Sequence, residues 1–345
     1  MPSFPFTPYP SSWFRLAASR ELQPATLKTV HYFGQELVLF RTEAGKVHIL
    51  DAHCPHLGTH LGLGRVRGEA VECPFHHWQL DGQGQCVAVP YARKVPRAGI
   101  RSWPVREVNG QIMLYFDQTG GEASWDFPAF PEFGAPDWSP FYRAHHWRIK
   151  THIQEFGENG MDVAHSPILH GQQTLSSRTE HVRAEGQHFQ HLMWHTYRVF
   201  KPIRLFSPEV AGPLEVNLFG MGCALNHCTI QVNNFKLDYA YLFFFTPIDE
   251  EWSEINSLLA MKKLGNPLLT YLLVKKAIAE GRQTIDQDIP IWETKRYRER
   301  PKLCDGDGPI MQFRRWARQF YEPGGTAEEA AAGDGAPVLA FADPG

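Results

Sequence analysis

Four side chains with metal-binding chemistry fall in two short pairs. Cys54-Pro55-His56 is followed, after sixteen intervening residues, by Cys73-Pro74-Phe75-His76. Each pair joins one thiolate to one imidazole in a turn-rich stretch behind a short β-prone segment. Two hairpin tips of this kind can converge on one metal centre. Zn²⁺ accepts such a set. A [2Fe–2S] cluster accepts it too, with both Cys on one iron and both His on the other. His53, His60 and His77 flank the pairs and read as polar turn residues. A second group occupies the stretch ENGMDVAHSPILH, from Glu158 to His170. Here His165 and His170 stand five apart around a Ser166-Pro167 break and can face one centre. A carboxylate from elsewhere would complete the 2-His-1-carboxylate face of a non-haem Fe(II) oxygenase, which leaves positions open for O₂ and substrate. Asp286 and Asp288, in QTIDQDIPIW before Trp292, are the candidate acids.

These residues need a scaffold, and 345 residues with 43% hydrophobic side chains suffice for two domains. Residues 20–116 read as all-β, with strands at 30–41, 46–52, 70–73, 85–90 and 111–116 and a polar turn at 42–45. Residues 117–140 are rich in Pro, Gly and aromatics and read as a docked linker. Beyond it, 158–170 is expected to be helical and 181–246 to form a long antiparallel sheet. Residues 253–283 and 286–299 read as helices, with Pro290 in a first turn or at a kink. The Ala- and Gly-rich stretch 322–345 is expected to be disordered. The fold class is therefore α+β, an N-terminal all-β domain at 1–116 and a catalytic domain at 141–321. Leu218, Phe219, Met221 and residues 243–245 are candidate lining for a substrate pocket. Residues 267–274 (PLLTYLLV) read as a buried helix face between lysines.

Composition narrows the function. Thirty-four Lys+Arg against 37 Asp+Glu give a formal charge of −3, which does not suit a nucleic-acid partner. No apolar run reaches the roughly 18 residues of a membrane span. The N-terminus lacks the pattern of a signal peptide, so a cytoplasmic location with reduced thiols is expected. No glycine-rich nucleotide-binding motif is present.

The stretch CPHLGTHLG with CPFHHWQLD resembles the Rieske cluster motif, C-x-H then C-x-x-H, including Leu57-Gly58 after the first His. Rieske proteins of respiratory complexes carry an extra Cys in each loop, where this chain has Thr59 and Phe75. With the second group, the chain resembles the catalytic subunits of Rieske non-haem iron oxygenases up to about residue 321. Its end, from Ile291 to Tyr321, is similar to that of the group containing 3-ketosteroid 9α-hydroxylase oxygenase components and cholesterol 7-desaturases.

The resemblance implies one [2Fe–2S] cluster per subunit on Cys54, His56, Cys73 and His76. It also implies one mononuclear Fe(II) on His165, His170 and an acid in an (E/Q)-D-x-x-(I/V)-W pattern, which selects Asp288 with Asp286 in reserve. Asp162 would bridge this site to a Rieske His of a neighbouring subunit in a head-to-tail homotrimer, and Asn159 would line the site. O₂ is the implied co-substrate, and an NAD(P)H-dependent reductase, ferredoxin or both the implied donor. The implied reaction is hydroxylation or desaturation of a C–H bond in a bulky apolar, steroid-like substrate. Tailoring of an alkaloid or other secondary metabolite is the alternative substrate class. A ferredoxin-like electron carrier with a vestigial second site is the alternative function. Arg314, Arg315, Arg318 and Lys295 read as a solvated basic face or a docking patch for an acidic donor.

Overall fold

The computed structural model describes residues 4–171, 174–198, 209–232 and 235–322. The expected disordered tail, apart from Glu322, lies outside the described residues. Among the described residues the strands form four antiparallel sheets. In the N-terminal part, β1 (Ser12–Ala18), β9 (Val105–Val108) and β10 (Gln111–Phe116) form one sheet in the order β1-β10-β9. A second contains β2 (Thr26–Tyr32), β3 (Gln35–Arg41) and β4 (Val47–Asp51), and a third β5 (Arg65–Arg67), β6 (Ala70–Glu72), β7 (Gln79–Leu80) and β8 (Cys86–Ala88).

The stretch expected as one strand at 30–41 is a hairpin. Phe33 and Gly34 both take positive φ, 56° and 69°, and form its two-residue turn. The usual sequence signal is Asn-Gly or Asp-Gly. Here Phe33 holds the position because its ring packs against Phe14 and Phe116 in the core.

The second part is built on a seven-stranded sheet. Its strands are β11 (Tyr142–Ile149), β12 (Thr174–Glu185), β13 (His188–Arg198), β14 (Glu209–Phe219), β15 (Cys223–Val232), β16 (Phe235–Pro247) and β17 (Ser253–Met261). They run in the order β11-β17-β16-β15-β14-β13-β12. The segment 253–261, expected to be helical, is thus a strand. It is buried almost throughout, so alternation is absent and periodicity alone could not separate it from a buried helix. A single helix, α3 (Pro267–Thr294), replaces the two expected helices, and Pro290 lies inside it, where it removes one backbone donor. Two short helices, α1 (Gln154–Met161) and α2 (His165–Leu169), lie between β11 and β12, and α4 (Ile310–Ala317) follows α3.

Strand periodicity divides the aromatic run of β16 between two faces. Tyr239, Tyr241, Phe243 and Phe245 face a cavity under α3. Ala240, Leu242 and Phe244 face the other way and pack with Trp13, Phe127 and Phe130. The 117–140 segment is therefore docked on the back of the large sheet. Asn109 secures it, donating to the Pro128 carbonyl and accepting from the Phe130 N–H. Of the expected pocket residues, Leu218, Phe243 and Phe245 line the cavity. Phe219 instead stacks on His188 and reaches Phe130, Phe244 faces away, and Met221 packs in the core.

Two of the expected surface cations are structural. Arg314 on α4 grips Glu158 on α1 through two bonds of 2.8 Å, with both side chains largely buried. Lys295 pairs with the buried Glu155. Arg315 and Arg318 stay exposed. At Gly157 a Cβ would come within 2.3 Å of the Phe313 ring, so glycine lets α1 press on α4. Arg314→Ala would leave the Glu158 carboxylate buried without its cation. We expect a loss of about 3–5 kcal/mol, measured by chemical denaturation.

Candidate functional site

Both Cys/His loops are closed by the same backbone pattern. The Cys54 N–H donates to the Thr59 carbonyl and the Gly58 N–H returns to the Cys54 carbonyl. In the second loop Cys73 pairs with Trp78 and His77 returns to Cys73, at the same offsets. Gly58 and His77 occupy the equivalent positive-φ position, which makes His77 a turn residue whose ring lies 3.1 Å from Glu72. His53 and His60 form a bridge and both face Glu36. Cys54 and Cys73 are unpaired thiols, 3% and 2% exposed, inside the core of this tip. Burial, with the adjacent Cys73 thiol, pushes the Cys54 thiol up to about 11. Two thiolates here need a cationic partner. The His56 and His76 rings lie 4.7 Å apart at the outer edge, and His56 stacks on Trp78 at 4.5 Å. The Trp78 indole in turn donates to the Tyr91 hydroxyl at 2.7 Å.

Among the described residues, one set of at least three such ligands gathers its atoms within 4.8 Å, and that set is His165, His170 and Asp288. Two buried thiols beside two imidazoles at the rim suit either a zinc ion or a cluster of two irons.

At the second centre, Asp162 ends α1, and its Oδ1 accepts the His165 N–H at 3.1 Å, which starts α2. Pro167 falls in the first turn of α2, where no intrahelical N–H is needed. Five positions on a regular helix would set two side chains roughly 140° apart. His170 has left the helix at its C-cap, so the two rings converge at 5.2 Å. His165 Nδ1 donates to the Asp162 carbonyl at 2.5 Å, and His170 Nδ1 donates to Gln287 Oε1 at 2.8 Å. Both bonds fix the tautomer that presents Nε2 to the centre.

Asp288 comes from α3, and Trp292, one turn later, packs edge-on against Phe156 of α1 at 5.0 Å. This contact seats the helix so that Asp288 meets α1. Asn159 Nδ2 lies 3.3 Å from His165 Nε2 and 3.4 Å from Asp288 Oδ2. Asp286, two residues earlier, points outward to Trp147 and Arg282. His170 Nε2 and Asp288 Oδ1 are buried without hydrogen-bond partners, 3.2 Å apart. Two acceptors facing each other in a dry site require a cation or a proton between them. The residues present therefore fit a divalent metal.

Burial lowers the His170 pKa, but Asp288 and Gln287 outweigh it and hold the imidazole above its usual value. A metal must displace that proton. Metal loading is thus expected to weaken as pH falls through the raised value and to strengthen above it, as a metal titration across pH would show. Gln287 was not singled out from sequence, although it fills the E/Q position of the motif. Gln287→Ala is expected to weaken metal binding at the triad by about 10–100-fold, as the same titration would show.

The triad opens on a cavity of about 850 Å³. Its walls are mainly apolar, among them Met193, Leu214, Val216, Phe243, Phe245 and Ile255. This size and character suit a small-molecule site.

Two family models match the chain. The Rieske [2Fe-2S] domain covers residues 12–104, and the 3-ketosteroid 9α-hydroxylase C-terminal domain covers 114–321. The chain belongs to the Rieske oxygenases. This Rieske oxygenase is 34% identical over 337 residues to a cholesterol 7-desaturase of Ciona intestinalis, covering 91% of this chain and 69% of the relative. It is 30% identical over 326 residues to the oxygenase component of a 3-ketosteroid-9-alpha-monooxygenase of Rhodococcus rhodochrous, covering 91% and 82%. Its fold matches the crystal structure of dicamba monooxygenase bound to dicamba with a TM-score of 0.71, at 19% identity, over 93% and 98% of the two chains. No helix among the described residues is long and apolar enough to cross a membrane.

Proposed function

We propose that this chain is the terminal oxygenase component of a multicomponent system and oxidises a C–H bond of a bulky, steroid-like substrate. The observation that carries the reading is the convergence of His165, His170 and Asp288 on the floor of a large apolar cavity. The steroid-directed names of relatives at 30–34% identity support the substrate class.

When bound, the [2Fe–2S] cluster supplies one-electron storage and the mononuclear Fe(II) supplies O₂ activation. Cys54, His56, Cys73 and His76 would hold the first, and His165, His170 and Asp288 the second. Hydroxylation consumes one O₂, two electrons and two protons per oxidised C–H bond and releases one water. Desaturation consumes the same and releases two waters. The chain itself orients and shields. Asp162 and Gln287 lock the two imidazoles, Asn159 bonds to the carboxylate, and the aromatic walls exclude water from the reacting bond.

We assign the carry of electrons between centres to Asp162, across a contact between chains in a homotrimer. The exposed Leu57, Leu63 and Phe75 around one centre, and the exposed Ile168 beside the other, support that docking. The electron donor is a reductase or ferredoxin. The exposed run Arg93-Lys94-Val95-Pro96-Arg97, just beyond Tyr91, supports an acidic donor surface near the cluster.

The test is product analysis by mass spectrometry with a surrogate reductase, a panel of sterols and 3-ketosteroids, and labelled O₂. A hydroxylated or newly unsaturated steroid is expected. Failure on every steroid, with turnover of a compact heteroaromatic compound, would overturn the substrate class.

A further inference from the structure

We propose that the N-terminal end of α3 docks on an anionic lipid surface. Residues 267–274 are expected to be a buried face, yet only Thr270 and Val274 of the eight are buried. Leu268, Leu269, Tyr271 and Leu272 are 64%, 42%, 40% and 55% exposed. Only Thr270, Val274 and Ile278 on these turns are fully buried. Single exposed apolar residues are ordinary, but four within five positions form a patch that calls for a partner.

The patch is built firmly. Asn266 caps the helix, its Oδ1 accepting the Leu268 and Leu269 N–H groups at 2.9 and 3.2 Å. Pro267 fits the first helical position. The Thr270 hydroxyl donates to the Asn266 carbonyl and accepts the Leu264 N–H. The apolar tip is therefore presented in one fixed shape.

Its rim decides the occupant. Residues 262–279 contain Lys262, Lys263, Lys275 and Lys276 and no acid. All four lysines are exposed. Asp137 and Asp238 lie near Lys262, Glu280 pairs with Lys276, and Lys263 bonds to the Pro136 carbonyl. Lys275 lies 5.7 Å over the Tyr271 ring, at the edge of the patch. Lys276 turns toward the cavity, so Lys262, Lys263 and Lys275 form the rim, and an apolar tip with this basic rim matches an acyl boundary beneath anionic headgroups. A second copy of this chain would bring the same cations face to face.

The position gives the docking a purpose, which rests on the apolar-substrate reading. The inner side of these turns, Leu273, Lys276, Ala277, Glu280 and Gly281, lines the cavity. One helix wall thus separates the patch from the substrate site. An apolar polycyclic substrate partitions into bilayers, so docking would bring the cavity to its reservoir.

The experiment is co-sedimentation of the holoenzyme with phosphatidylcholine–phosphatidylglycerol vesicles and with phosphatidylcholine alone. No substrate or turnover is involved, so its outcome is independent of the substrate assignment. The wild type is expected to follow the anionic vesicles at low salt and to be released as salt rises. The double variant Leu268→Asp/Leu272→Asp should bind at least about tenfold more weakly. Both side chains are exposed, so the cluster spectrum and the melting temperature should be unchanged. Wild type that ignores anionic vesicles would overturn the proposal, as would equal binding by the variant. A change in oligomeric state on substitution, without vesicle binding by the wild type, would make the patch a contact between copies.

Discussion

His165→Ala is expected to abolish turnover while the brown colour and visible spectrum of the cluster persist. The two centres sit on separate scaffolds, one in loops of the N-terminal sheets and one between α1, α2 and α3. Removing His165 takes one of three ligands from the second and touches nothing in the first. The remaining His170–Asp288 pair, 3.2 Å apart, would then hold a proton more readily than a metal. Iron should fall by one atom per chain, and kcat should fall to background, a loss of roughly 10³-fold or more. Metal analysis beside absorbance of the same preparation checks both halves. Turnover that survived would favour a different ligand set.

Cys73→Ser is expected to act in the opposite sense, bleaching the protein while the triad stays able to bind Fe(II). Cys73 and Cys54 are buried in one small core with Val71, Trp78 and Leu80. On the proposed assignment, losing this thiolate removes a cluster ligand, and Cys86, the other thiol packed against this core, lies outside both loops. The second loop keeps its backbone bonds to Trp78 and His77. Structural metal binding contributes folding free energy, so the N-terminal part should also melt several degrees earlier. Absorbance, sulfide content and a thermal scan together distinguish this outcome. A brown Cys73→Ser protein would contradict the ligand assignment.

Much of this was legible in the sequence because the chemistry is local. The Cys54–His56 and Cys73–His76 spacings lie within single turns, and His165 and His170 flank one short helix. Asp288 could be chosen over Asp286 only by motif. The structure adds the physical reason, since Trp292 packs on Phe156 and turns Asp288 inward while Asp286 faces Arg282. What the sequence concealed was long-range. Residues 253–261 form a strand buried on both faces, so neither periodicity stands out. The Phe33-Gly34 turn is made possible by core packing rather than by turn chemistry. Arg314 and Lys295 resemble surface charges until Glu158 and Glu155, about 150 residues earlier in the chain, are seen against them. The exposure of Leu268 and Leu272 could not be read from an apolar run whose length fits a buried helix equally well.

The central claim is that one chain carries a two-iron store and a separate single iron. Iron and acid-labile sulfide should be counted in the purified protein before and after mild chelation. We predict about three irons and two sulfides per chain at the start, with chelation removing one iron and leaving the sulfide and the colour. A colourless zinc protein, or iron and sulfide lost together in equal amounts with no separately removable iron, would contradict it.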